Sequence, residues 1–174
     1  VRKRVDQLLL AYTYVQQAEG DEVPLVIAGR EPAWGSPMFP DLRAYAAELG
    51  IGANLRWIGY VEEAEKPAIY RMASVFVFPT MYEGFCLPVV EAMACGTPVV
   101  ANDIPVLAEV VGEGAFLTKT GDERAMAGAI IALLEQDPLR ETQITRGLSQ
   151  ATRYSWRKTA RETLAVYNRV LEGK

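Results

Sequence analysis

Short apolar runs alternate with stretches of helical period along this chain, and that alternation limits its fold more than any other feature. Leu25-Val26-Ile27-Ala28 reads as a buried strand stopped at Gly29. Before it, Val5, Leu8, Leu9, Tyr12 and Val15 recur at helical spacing and predict an amphipathic helix over 5–18. The segment 31–40 carries Pro32, Gly35, Pro37 and Pro40 and reads as a loop. Asp41 is an N-cap candidate for a helix ending at Gly50, and a strand over 54–58 follows. The pattern then repeats: helix 66–73 and strand 74–78 closed by Pro79, helix 87–94 and strand 98–101, helix 104–111 and strand 115–117. After Asp122 it is helical to the end, and Trp156, Ala160, Leu164, Tyr167 and Leu171 mark one apolar face of the last helix. Strands that are apolar on both faces and alternate with helices predict a Rossmann-like α/β fold. Its doubly wound, mostly parallel sheet is joined by right-handed crossovers and forms one domain over 1–174. Ligands are then expected beyond the carboxyl ends of the strands.

Composition narrows the function classes. Of 174 residues, 50% are hydrophobic and 23% charged, enough for a core and too apolar for disorder. A net charge of −4 without a long basic run argues against a nucleic-acid partner. The apolar stretch Val75-Phe76-Val77-Phe78 falls far short of a membrane span, which leaves only peripheral membrane contact open to a longer parent. No signal-peptide pattern opens the chain, and a first residue of Val1 rather than Met suggests a piece of a longer protein. Cys86 and Cys95 flank one predicted helix, so roughly 13 Å separates them, beyond the bridging limit of about 7 Å. They are expected to be free thiols, which fits a cytoplasmic location. There is no histidine, so a histidine base or metal ligand must come from elsewhere.

The segment with chemical content is Glu83-Gly84-Phe85-Cys86-Leu87-Pro88-Val89-Val90-Glu91. Gly84 lets the backbone turn tightly, and Pro88 suits a first helical turn. The amides around Phe85 to Leu87 would then lie unpaired at a helix N-terminus, where partial positive charge suits a diphosphate. Glu83 precedes the helix and Glu91 lies a turn inside it, so the pair can grip two ends of one elongated ligand. A carboxylate accepts two hydrogen bonds at once, which fits the vicinal diol of a ribose at Glu91. The bland reading makes Glu83 a loop charge and Glu91 an exposed helical residue. The apolar neighbours of Glu91 count against it, because a buried acid needs a partner.

At this point the sequence resembles the C-terminal domain of glycosyltransferase family 4, the group 1 retaining glycosyltransferases of the GT-B fold. The likeness runs through RKRVDQLLLAY, VPLVIAG, NLRWIGYV, FVFPTMYEGFCLPVVEAMACGTPVVAN, LAEVVGEGAFL and the late YSW. The resemblance gives Glu91 the nucleotide ribose and Glu83 the transferred sugar, in a catalytic role. It gives the amides of Gly84, Phe85, Cys86 and Leu87 the sugar hydroxyls and phosphates, Lys3 a phosphate, and Tyr60 and Val61 the base. For Tyr60 a packing role is an equal reading, and Arg30 and Glu31 read as surface loop charges. Two departures stand out: the family usually has Gly where this chain has Cys86, and often Gly where it has Arg4. A thiol activated by the helix N-terminus is one reading of Cys86, packing the other.

The implied reaction is retaining transfer of a glycosyl group from a nucleotide-sugar to an acceptor hydroxyl. The acceptor is held mainly by an N-terminal domain outside this chain, so the isolated domain is expected to be inactive. No Asp-x-Asp motif occurs, so no metal is expected, and no cofactor beyond the donor substrate. A nucleotide-sugar epimerase, a phosphorylase of the same fold and a non-catalytic nucleotide-sugar binding module remain open beside this reading.

Overall fold

A computed structural model describes residues 2–31, 35–36 and 40–173. The predicted loop over 31–40 therefore lies largely outside the described residues. The elements run α1 (Val5–Glu19), β1 (Leu25–Ala28), α2 (Leu42–Glu48), β2 (Leu55–Gly59), α3 (Lys66–Met72), β3 (Phe76–Phe78) and α4 (Leu87–Ala94). They continue as β4 (Val99–Asn102), α5 (Pro105–Val111), β5 (Phe116–Thr118), α6 (Glu123–Glu135), α7 (Asp137–Ala151) and α8 (Trp156–Leu171). The pairs β1–β2, β3–β4 and β4–β5 are all parallel, as strands separated by helices require.

Local chemistry accounts for the boundaries. The Asp41 carboxylate accepts the amides of Arg43 and Ala44, each at 3.0 Å, and starts α2. Asp122 does the same for α6 through Ala125. The helical stretch expected after Asp122 is divided into three helices. Pro138 cannot continue α6 but suits the first turn of α7. Ser155 then caps α8.

Order β3-β4-β5 forms one sheet, and its side chains alternate between two cores. Val77, Val100 and Phe116 face the core built from Leu9, Ala11, Tyr12 and Val15 of α1 and Met126, Ala127, Ile130 and Leu133 of α6. Phe76, Phe78, Val99, Ala101 and Leu117 face the other, with Val89, Ala92 and Met93 of α4 and Leu107, Val110 and Val111 of α5. This sheet is doubly wound, as the all-apolar run of β4 demands.

The outer part departs from that expectation. β1 and β2 pair with each other as a separate two-stranded sheet. Leu25, Ile27, Leu55 and Trp57 join the α1–α6 core, whereas Val26 and Ile58 on the opposite face are 46% and 40% exposed. Alternating burial along both strands is the mark of one covered face.

Candidate donor site at the carboxyl ends of the strands

The chain leaves β3 through Pro79, makes a short loop, and enters α4 at Cys86. Thr80 is 1% exposed, and its hydroxyl lies 3.1 Å from Oε1 of Glu83. The turn before α1 folds onto this loop. The Met81 amide donates to the carbonyl of Arg2 at 3.1 Å, and the Arg4 guanidinium reaches Sδ of Met81. Arg2 adds an ion pair with Glu83 at 3.9 Å, with side chains 57% and 17% exposed. Lys3, exposed, is thus carried beside the Glu83 loop, though neither Arg2 nor Thr80 was singled out in the sequence.

Between Glu83 and the helix, the amides of Gly84, Phe85 and Cys86 donate to no group among the described residues. Cys86 sits in the left-handed region at φ 78°, ψ 51° and ends the loop as the N-cap of α4. Its thiol is 4% exposed, and burial, then the charge of Glu83, pushes its pKa up to about 11. Packing is therefore its role and the activated thiol is not. Cys95, at the other end of α4, is also free. Phe85 is 41% exposed, its ring edge-on to Tyr154 at 5.3 Å, and Leu87 is exposed beside it.

Glu91 is half-buried one turn into α4. Oε2 accepts the Tyr70 hydroxyl at 2.9 Å, so the partner that its setting calls for is supplied in part by the protein. Burial, followed by that hydrogen bond and the Glu91 charge, raises the Tyr70 pKa far above the ordinary phenol, which keeps the hydroxyl a donor. Oε1 accepts no bond among the described residues. Lys66 is salt-bridged to Glu63, whose hydrogen bond chiefly raises the pKa of the ammonium, with smaller contributions from the charges of Glu91 and Tyr60.

Tyr60 is 50% exposed just beyond β2, and the Arg30 guanidinium lies 4.8 Å from its ring centroid. Arg30 is thereby more than a loop charge, while Glu31 pairs with Arg43 through bonds of 2.9 and 2.7 Å. Val61 is half-buried. Two clusters result. One joins the Lys3 turn, Thr80 and Glu83; the other joins Glu91, Tyr70, Lys66, Tyr60 and Arg30. Helix α4 runs between them.

This architecture recurs in the sucrose-phosphate synthase of Thermosynechococcus elongatus, with a TM-score of 0.84 and 25% identity over 99% of this chain and 43% of that one. The phosphatidyl-myo-inositol mannosyltransferase of Mycobacterium leprae is 37% identical over 172 residues, covering 97% of this chain and 44% of that protein. The O-antigen chain mannosyltransferase B of Escherichia coli is 34% identical over 166 residues, covering 95% and 42%. The chain thus spans less than half the length of these curated relatives. A family model described as glycosyl transferases group 1 matches residues 1–150, a span that contains both clusters and the α4 turn between them. Sequence, fold and the two acids around the N-terminus of α4 meet in one family, and this chain belongs to the group 1 glycosyl transferases.

Proposed function

We propose that this chain is the nucleotide-sugar-binding half of a retaining glycosyltransferase, its acceptor held mainly by another part of the parent protein. One observation carries the reading: two carboxylates bracket the N-terminus of α4, and the amides of Gly84, Phe85 and Cys86 between them find no acceptor among the described residues. Free amides at a helix N-terminus suit a diphosphate. Oε1 of Glu91 is open to a ribose hydroxyl. The exposed ring of Tyr60, with Arg30 over it, suits a base beyond the ribose, with Val61 alongside.

In the reaction so proposed, charge grows on the leaving diphosphate as the glycosyl bond breaks. The amides from Gly84 to Leu87 and the Lys3 ammonium stabilise it without a divalent metal. Glu83 positions the sugar and stabilises positive charge on its ring. Its setting supports that role, because Thr80 holds one of its oxygens and Arg2 balances its charge. The mannosyltransferase names of two relatives make mannose the first sugar to test.

The test is calorimetric titration of the chain with UDP, GDP and ADP and their hexose conjugates, repeated on Glu91→Ala. Saturable binding of one nucleotide, weakened at least tenfold in the variant, is the expected result. A folded full-length parent that binds none of the panel would overturn the reading. Binding by the parent without transfer of the sugar to any acceptor, or to water, would instead favour a sensing module.

A further inference from the structure

A buried polar chain leads from β4 to Glu83. Asn102 ends β4 and is fully buried. Its Nδ2 donates to the carbonyl of Pro79 at 2.5 Å and lies 3.3 Å from that of Thr80 and 3.4 Å from Oε1 of Gln7. Three acceptors around one nitrogen fix the orientation of the amide, since a flip would set oxygen against oxygen. Oδ1 is left buried without a partner. Such orphaned acceptors are uncommon and call for a reason. The reason lies at the other end of the amide. Pro79 and Thr80 have just left β3, and no ladder bond holds their carbonyls. Asn102 pins that exit, and Gln7, itself 2% exposed and bonded to Glu123 at 3.1 Å, ties it to α1 and α6.

The pinned segment then acts on Glu83. The Thr80 hydroxyl has Oε1 of Glu83 at 3.1 Å and the carbonyls of Arg2 and Tyr82 at 3.4 Å, and its single proton favours the charged acceptor. We infer that Asn102 and Thr80 are positioning residues for Glu83: Asn102 fixes the strand exit and Thr80 aims the carboxylate at the transferred sugar. This rests on the donor-site reading above and adds which residues set its sugar specificity. Their effect falls on the sugar, whereas the nucleotide is gripped elsewhere, by Glu91 and the α4 amides.

The test uses the full-length parent and calorimetric affinities for UDP-, GDP- and ADP-hexoses against the sugar-free diphosphates. Thr80→Val is expected to weaken binding of the recognised nucleotide-hexose about tenfold while the free diphosphate stays within twofold. Thr80→Ser, which keeps the hydroxyl, stays within threefold for both. In a Glu83→Gln background Thr80→Val adds less than twofold, because the charged carboxylate it aims is replaced by a neutral amide. Asn102→Leu follows the same pattern, and Thr80→Ala carries the cycle if the valine variant does not fold. Equal loss of hexose and diphosphate, or full additivity with Glu83→Gln, would make the network merely structural and overturn the proposal. Loss in Glu83→Gln with none in Thr80→Val or Asn102→Leu overturns it alone. An unaffected Glu83→Gln removes the sugar-binding role of Glu83, and this proposal with it.

Discussion

Arg4 and Cys86 share a conformation that neither side chain favours. Their φ angles are +44° and +78°, and they are the non-glycine residues found at positive φ among the described residues. Both stand where the family resemblance expects glycine. A left-handed backbone brings Cβ against the following carbonyl and costs an L-residue roughly 1–2 kcal/mol. The departures seen in the sequence therefore changed the side chain and kept the backbone. Cys86 recovers part of the cost by burying its thiol, and Arg4 by its bonds to both oxygens of Asp6 at 3.1 Å. Cys86→Gly is expected to fold with a melting temperature within a few degrees of the parent chain. Cys86→Val adds a β-branch at positive φ and should lose about 2 kcal/mol, read by urea denaturation. In the native state Cys86 should also react with a thiol-specific reagent far more slowly than Cys95, as its burial and raised pKa require. Equal rates would contradict the packing role.

The elements α4, α5 and α7 converge closely around Gly114. A Cβ on Gly114 would lie 2.9 Å from Sδ of Met93, 3.0 Å from the carbonyl of Val111 and 3.1 Å from Cβ of Gln150. Across the gap, Gly147 of α7 packs against the Gly114 carbonyl and Met93. Gly114→Ala must therefore displace the Met93 side chain of α4 and crowd the Val111 carbonyl, and a loss of about 1–3 kcal/mol in denaturant unfolding is expected. Because α4 carries Glu91, the same variant should also weaken nucleotide binding. The cap at Asp41 makes a contrasting case. Asp41→Ala is expected to cost about 1 kcal/mol and leave binding by Glu91 unchanged, since α2 touches neither cluster's acid.

At the scale of the whole molecule, α8 stands apart: every described residue along it is exposed. The apolar face expected there is real, yet Trp156, Leu164, Tyr167 and Leu171 are 75%, 58%, 62% and 85% exposed. An uncovered stripe of this kind contributes little to the stability of this domain. Ending the chain after Ser155 should shift the thermal midpoint by no more than about 2 °C, whereas a drop of 10 °C would mean that α8 packs on the domain in solution.

Local chemistry settled much of this protein before any folding was considered. The apolar run of β4 required a strand buried on both faces, the caps and prolines set the helix boundaries, and Glu83 before α4 and Glu91 a turn inside it marked the candidate site. These are properties of neighbours in the chain, so spacing alone reveals them. What the tertiary structure decided are the pairings between distant segments: Tyr70 with Glu91, Arg30 with Tyr60, Arg2 with Glu83, and Asn102 with the exit of β3. It also decided that β1 and β2 form a separate sheet with one open face, and that the stripe on α8 finds no cover here. Asn102 left a faint trace as the polar residue closing an apolar strand. Its meaning depends on which carbonyls surround it, and only the crossing of β3, β4 and α1 supplies them.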